Sequence, residues 1–226
     1  MCGTLTAGGD IAISSALHKH VNITALAGGL GFVGLGAAVA VLTDNSNQRA
    51  YLGDNAQILS AANVSIVADS VRNLHLNTDQ AQIGAGALGA SFSRLATTGS
   101  TVAETGSGVK MGQGAGDVGS LTITAHSAVD ADVTVYAFSS GAVSISANFA
   151  FLDVTPTVRA ALGANGLIDL TGSADIQAVS EADAESKVFT LTTGAGTTGA
   201  SIASANLAPV VDALVALSDA KPGTKL

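Results

Sequence analysis

Residues 63–70, with the sequence NVSIVADS, show the alternating pattern from which the fold is predicted. Val64, Ile66 and Ala68 fall on one side of an extended chain, and the residues between them fall on the other. Residues 121–125, LTITA, alternate in the same way. Because a period of two belongs to a β-strand, both stretches are predicted to be strands that turn an apolar side to a core.

A second alternating stretch lies about ten to fifteen residues after such a strand. Residues 21–25 follow the strand that begins near Ile11, and residues 133–137 follow residues 121–125. Strands at this spacing in a bent chain predict that the chain coils. A third segment, from Gly36 to Leu42, is small and apolar on both sides. It predicts a strand that packs on two surfaces or lies on a tightly curved wall.

Three sequence markers recur four times in the same order. The first is a turn before an alternating strand, the second is a Gly-Ala pair that opens the strand of small residues, and the third is an Ala near a turn. Their intervals run from 52 to 58 residues. We therefore predict an all-β fold, a parallel β-solenoid built from about four repeats of roughly 53 residues. The markers stand at Asp10, Asn63, Asp117 and Asp175; at Gly36, Gly89, Gly141 and Gly199; and at Ala50, Ala103, Ala160 and Ala213.

One solenoid domain is predicted over residues 1–226, with repeats at approximately 9–61, 62–115, 116–172 and 173–220. The first residues already read as strand and turn, so we expect a segment of a longer chain. Residues 208–217, APVVDALVAL, fit a strand by repeat phase and a helix beginning at Pro209 by local pattern, and the repeat phase favours the strand. Lys221 to Leu226 is predicted to be a frayed end.

Charge and apolar content bear on the partners. The net charge is −8, and the nine basic residues are scattered singly, which disfavours nucleic acid and anionic membranes. The single cysteine, Cys2, has no apolar signal region before it, so lipidation is not expected.

The uncharged run from Ile23 to Leu42 is long enough to span a bilayer, but its glycines and the polar residues in the equivalent stretches predict a chain that does not span one.

The strand text NVSIVADS, the segment GAGALGASFS at 84–93 and AYLGDNAQILSA at 50–61 resemble the repetitive shafts of large bacterial exported adhesins. The family is that of the filamentous haemagglutinin-like and leukotoxin-like large exoproteins, and the resemblance covers nearly the whole chain. It implies a right-handed parallel β-helix, secretion to the bacterial cell surface, and a role in cell adhesion, aggregation or a surface filament. It supplies no site residues, and neither a secretion domain nor a translocator is recognisable.

Several patterns with known chemistry are better explained by structure. Two GxGxxG matches share one phase of the repeat and lack a following helix, so they predict close strand packing rather than nucleotide binding. Paired strand histidines and acidic turns have metal-binding counterparts, but neither recurs at the density such sites need. These patterns are Gly84, Gly86 and Gly89; Gly194, Gly196 and Gly199; His18 and His20; and Gly9-Asp10, Gly116-Asp117 and Asp175.

Two further patterns, threonine rows and paired carboxylates, are also explained without a functional site. Thr122 and Thr124, and residues 190–193, suggest outward hydroxyl rows, but the second repeat does not continue them. Carboxylates at Asp130 and Asp132 and within residues 181–185 lie two apart along single strands or turns, which predicts a solvated edge rather than a glycosidase pair.

We accordingly predict no catalytic, cofactor-binding or metal-binding residues and no cofactor. The expected function is a non-catalytic structural or interaction protein, the shaft segment of a bacterial surface adhesin or extracellular filament. Its expected partners are further copies stacked end to end, or a host or neighbouring-cell surface or glycan. The alternative is a polysaccharide-binding or polysaccharide-cleaving β-helix protein.

Overall fold

The computed structural model describes residues 3–113 and 116–216. Cys2, residues 217–220 of the fourth expected repeat and the expected frayed end lie outside these ranges. Within them, every regular element is a strand and no residue is helical. The strands are β1 Thr4–Thr6, β2 Ile11–Leu30, β3 Val33–Asp44, β4 Gln48–Leu52, β5 Gln57–Ile83, β6 Gly86–Thr97, β7 Ser100–Thr105, β8 Lys110–Met111, β9 Val118–Ser140, β10 Val143–Val154, β11 Thr157–Leu162, β12 Leu167–Ile168, β13 Ala174–Thr193, β14 Gly196–Leu207 and β15 Val210–Val215.

The strands form three parallel sheets. The long sheet contains β2, β5, β9 and β13, and the short strands β1, β8 and β12 join it at the beginning of β5. The middle sheet contains β3, β6, β10 and β14, and the short sheet contains β4, β7, β11 and β15. We call one long, one middle and one short strand in chain order a rung, so rung 1 is β2, β3 and β4, and rung 4 is β13, β14 and β15.

Successive rungs lie in strict register. Ile13 pairs with Ile66, Ile66 with Ile123 and Ile123 with Ile176, so the offsets are 53, 57 and 53 residues. All three sheets keep these offsets. The four additional residues of the second interval lie between Met111 and Val118, in a connection outside the three main sheets. The strands therefore stay aligned although the repeats differ in length.

The register confirms one of the three markers and corrects the other two. Ala50, Ala103, Ala160 and Ala213 stand in one column. The Asp marker is wrong from the third repeat onward: Asn63 pairs with Ser120 rather than Asp117, and Asp175 pairs with Thr122. The Gly-Ala marker is wrong in the third repeat, where Ser146 rather than Gly141 stands between Gly89 and Gly199.

The two alternating stretches of each repeat belong to one strand. In β9, Leu121 and Ile123 of the first stretch and Val133 and Val135 of the second are all fully buried, and the alternation continues between them. The prediction of alternating strands is confirmed, but a break between them was wrong because nothing in the intervening residues interrupts the pairing. Residues 210–215 form strand β15, as the repeat phase predicts, and Leu217 lies outside the described residues.

The core lies between the long sheet and the other two, and it consists of two apolar clusters. One gathers Ile66, Ile123 and their neighbours beneath the short sheet, and the other gathers Leu74, Leu76 and Val133 beneath the middle sheet. A polar belt separates them, with Ser70 and Arg72 from β5 facing Asp44, Thr97 and Thr101. Burial of the apolar side chains supplies the main stabilisation. The belt places charged groups in the interior, where each of them needs its partner.

The middle sheet has small inner side chains because the sheets approach closely there. A Cβ on Gly36 or Gly89 would overlap the side chains of Gln80 or Gln82, which are buried beneath these glycines. The Gln80 amide donates to Gln82 Oε1 at 2.9 Å, and Ser91 donates to Gln80. This explains the predicted strand of Gly, Ala and Ser.

Residues 23–42, long enough by composition to span a bilayer, form parts of β2 and β3. Among the residues described, no helix has the length and apolar character needed to cross a membrane.

Candidate functional site

The outer face of the long sheet carries most of the acidic, histidine and aromatic side chains that lie outside the core. Alternation points every second residue outward, and the register stacks these residues into columns across the four rungs. Residues separated by 53 or 57 positions therefore become neighbours about 4.8 Å apart. Acidic, imidazole and aromatic groups fall in successive columns of this face.

Five carboxylates form an acidic cluster on β9 and β13. Asp130 pairs with Asp183 and Asp132 pairs with Glu185 in the register of the two strands, and Glu181 lies one outward position before Asp183. A shallow depression of about 450 Å³ lies beside Asp130, Glu181 and Asp183. The carboxylates lie two residues apart along single strands, as the sequence indicated, and the register in addition brings the carboxylates of β9 and β13 together across the two strands.

Two histidine–aspartate pairs border this cluster. His75 Nδ1 lies 3.0 Å from Asp132 Oδ2, and His126 Nδ1 lies 2.7 Å from Asp69 Oδ1. The ring of His20 meets the ring of His75 edge-on, with centroids 5.9 Å apart. Sequence reasoning missed both pairs, although each joins residues exactly one 57-residue offset apart.

Lys187 partly neutralises the acidic cluster. Its Nζ lies 2.5 Å from Glu185 Oε2, and this hydrogen bond raises the pKa of Lys187 above its ordinary value. Both side chains are about half exposed, so the ion pair is a surface interaction of small energetic weight. The cluster nevertheless keeps a net negative charge on this face.

An aromatic groove lies further along the same face. The rings of Tyr136 and Phe189 stack with centroids 5.1 Å apart and 11° between their planes, and both side chains are about half exposed. Phe138 and Leu191 form the opposite wall, and Asp79 lies beside Tyr136 in the same column. The groove encloses about 720 Å³ and runs across the strands.

The glycine patterns lie at the corner between the long and middle sheets. A Cβ on Gly84 would overlap the carbonyl oxygen of Gly31, and Gly141 and Gly194 repeat this contact in the next two rungs. Strands β6 and β14 follow, where a nucleotide-binding turn would need a helix. Gly31 and Gly194 also have positive φ, of 142° and 153°, so the backbone geometry at these two positions favours glycine as well.

The other candidates are dispersed. His18 and His20 lie exposed on β2, and within residues 3–113 and 116–216 no three His, Cys, Asp or Glu side chains are arranged to hold a metal ion. Asp10 belongs to a hydrogen-bonded column with Asn63 and Ser120, so Asp10, Asp117 and Asp175 do not stack as in a calcium-binding roll.

The outward hydroxyl row considered at residues 190–193 and set aside on the sequence does not include Thr190. Its Oγ1 accepts a hydrogen bond at 2.9 Å from the amide of Asn148, which is fully buried between the sheets. Thr190 therefore faces the interior, and Leu191 faces outward beside the groove.

Comparison of the chain with protein-family models, with curated proteins and with solved structures gave no match.

Proposed function

We propose that the chain is a non-catalytic structural protein, a shaft segment of a bacterial surface adhesin or extracellular filament. Its three parallel sheets would be the walls of a right-handed β-solenoid. The proposal rests on the register and on the open ends of the stack, and the location at the cell surface rests on the resemblance to exported adhesin shafts.

The observation that carries the proposal is that rungs 1 and 4 present matching residues. One inner column is isoleucine in every rung, from Ile13 to Ile176. Two other columns are alanine in every rung, at positions 37, 90, 147 and 200 and at positions 50, 103, 160 and 213. Rung 1 of one copy therefore has the residues that would continue the columns of rung 4 of another.

Both ends also offer strand edges. Within the described ranges, β2 pairs only with β5 and β13 pairs only with β9, so the backbone groups on their outer edges have no strand partner. Ile11 and Ile13 at one end and Ile176 at the other are only partly buried. Open edges and unfinished apolar columns are the features that promote end-to-end stacking.

Electron microscopy of the purified chain over a range of concentrations tests the proposal. We expect filaments that lengthen with concentration, and we expect Ile176→Lys to shorten them because it places a charge in the column that must continue. Gln177→Lys is the matched control, since it adds the same charge at the next, outward position. Only dispersed particles at every concentration, or equal effects of the two substitutions, would refute end-to-end assembly.

Polysaccharide binding or cleavage is the second candidate, and the outer face of the long sheet supports it. The groove between Tyr136, Phe189 and Leu191 offers apolar surface with Asp79 as a hydrogen-bond acceptor, a composition common in ligand sites. Asp130 and Asp183 provide carboxylates on neighbouring strands, as glycoside hydrolysis requires.

A panel of acidic and neutral polysaccharides separates binding from cleavage. Binding through the groove should fall with Phe189→Ala and persist with Phe92→Ala, which removes an aromatic ring from the middle sheet instead. Cleavage should release reducing sugar and stop with Asp130→Asn. Absence of both signals leaves the structural function as the one supported.

A further inference from the structure

The middle sheet turns an apolar surface to solvent. Its outward residues include Leu35, Val39 and Ile145, of which Val39 is 66% exposed. The only charged side chains on this face are Arg94 and Asp153, which pair at 3.6 Å near one end of the strands. We call this surface the apolar face; its other large members are Val33, Val41, Leu88, Phe92, Val143, Phe149, Phe151 and Ile202.

The apolar face is large enough to hold a second protein surface. Each of its four strands has 12 residues. At about 3.3 Å per residue and about 4.8 Å between strands, it measures roughly 40 by 19 Å, or about 760 Å². This is the outline of the whole face, including Arg94, Asp153 and the outward Thr198 and Ser204 of rung 4, and it is close to the roughly 800 Å² that each partner buries in a stable interface.

The relief of the face is self-complementary. Ala37, Ala90, Ala147 and Ala200 form a straight column of small side chains, and a depression of about 430 Å³ lies beside Ala37 and Ala90 of this column. The next outward column is a ridge of Val39, Phe92, Phe149 and Ile202 in the same four rungs. A ridge thus lies directly beside a column of small side chains that spans the same four rungs.

We propose that this face binds the same face of a second copy of the chain. A two-fold axis parallel to the stacking direction, passing between the alanine column and the ridge, places each ridge against the partner's alanine column. Two sheets packed in this way form a sandwich with about 10 Å between them. Arg94 and Asp153 then lie toward the border of the interface, where charged groups remain in water.

This geometry keeps the two shafts pointing in the same direction. Every rung contributes to the contact, because the ridge and the alanine column run through all four rungs. Lateral pairing is therefore independent of end-to-end stacking and of the proposed function, and it needs no residue at either end of the stack. A lipid surface is a less suitable occupant, since the face carries a single cation and the chain has a net charge of −8.

The experiment measures mass in solution by sedimentation equilibrium, in an Ile176→Lys background that limits end-to-end growth. We expect a particle of twice the 22.0 kDa chain mass. Val39→Lys should raise the dissociation constant by about 100-fold or more, because it buries an unpaired charge against the partner's alanine column. Thr134→Lys, outward on the long sheet, is the matched control and should leave the dimer unchanged.

Circular dichroism establishes that each variant retains the strand content of the parent. A monomer in the Ile176→Lys background at all concentrations, or equal weakening by Val39→Lys and Thr134→Lys, would overturn lateral pairing. Cosedimentation of a monomer with phosphatidylcholine vesicles, lost in Val39→Lys, would assign the face to lipid instead. Failure of filaments together with persistence of the dimer would refute the proposed stacking and leave this inference intact.

Discussion

The buried Arg72–Asp44 pair gives a sharp test of how the polar belt is held. Arg72 is fully buried, and its Nε lies 3.3 Å from Asp44 Oδ2, while Nη2 donates to the carbonyl oxygen of Ser46 at 2.9 Å. Asp44 has more partners: Lys19 Nζ at 2.8 Å, and the backbone N–H and hydroxyl of Ser46. Arg72 therefore depends on Asp44 for its carboxylate partner, whereas Asp44 keeps Lys19 and Ser46 when Arg72 is replaced.

Asp44→Ala should lower the free energy of unfolding by about 3–5 kcal/mol, the usual cost of leaving a buried charge without its partner. Arg72→Met should cost less than about 3 kcal/mol, since Asp44 keeps Lys19 and Ser46 and the new side chain fills apolar space. In the double variant Asp44→Ala/Arg72→Met, the loss of unfolding free energy should be smaller than the sum of the two single losses. The reason is that Arg72→Met removes the guanidinium charge that Asp44→Ala leaves without a partner.

Urea unfolding followed by far-ultraviolet circular dichroism measures these differences. Thr97→Val is the control, because Thr97 occupies the same inner position as Asp44 one rung later and Val154 fills it in rung 3. We expect that control to change stability by less than about 1 kcal/mol. An Asp44→Ala variant within about 1 kcal/mol of the parent, or Arg72→Met as the costlier change, would refute the reasoning.

Three further predictions follow from particular contacts. Burial opposes ionisation of Asp44, but the hydrogen bonds from Lys19 and Ser46 outweigh it and hold the pKa of Asp44 below its ordinary value. The stabilisation that ionised Asp44 provides is therefore complete above about pH 4 and is lost as the pH falls further. In urea titrations, the free energy of unfolding of the parent should fall more steeply toward acid pH than that of Asp44→Asn. Gly141→Ala should cost about 1–3 kcal/mol in the same assay, because its Cβ meets the backbone of the rung below, whereas Gly86→Ala, which meets nothing within 4 Å, should change stability by less than about 1 kcal/mol. Asp132→Asn should change the unfolding free energy by at most about 1 kcal/mol, since its partner His75 is part-exposed, and a larger change would mean that the surface pair is structural.

The sequence alone predicted the features that depend on local alternation. Val64, Ile66 and Ala68 are buried on one side of a strand, as their period of two indicates, and so are Leu121 and Ile123 in the next rung. The composition of the middle strands also predicted a wall where only small residues fit, and this holds for their inner side. The alternative expectation, packing on two surfaces, was wrong, because Leu35 and Val39 are exposed on the outer side. These features are local because each depends on residues within a few positions of one another.

The site depended on register, which the markers did not fix. Asp117 and Gly141 look like their counterparts in other repeats, but they stand three and five residues before the positions that the register assigns, Ser120 and Ser146. Only the alanine marker carried the correct 57-residue offset, from Ala103 to Ala160. With that offset alone, His75 meets Asp132 and Asp69 meets His126, and both pairs would have been predicted.

The same offset explains why unequal repeats still form one stack. A parallel ladder needs constant register within each sheet, but it places no condition on the length of a connection that leaves the sheet. The four added residues lie in such a connection, so the isoleucine column and both alanine columns pass through rungs 2 and 3 unbroken. The unit that repeats along the stack is thus the rung cross-section rather than the repeat length, and this is the unit that the proposed assemblies would extend. A copy added at either end, or alongside on the apolar face, has to match only that cross-section.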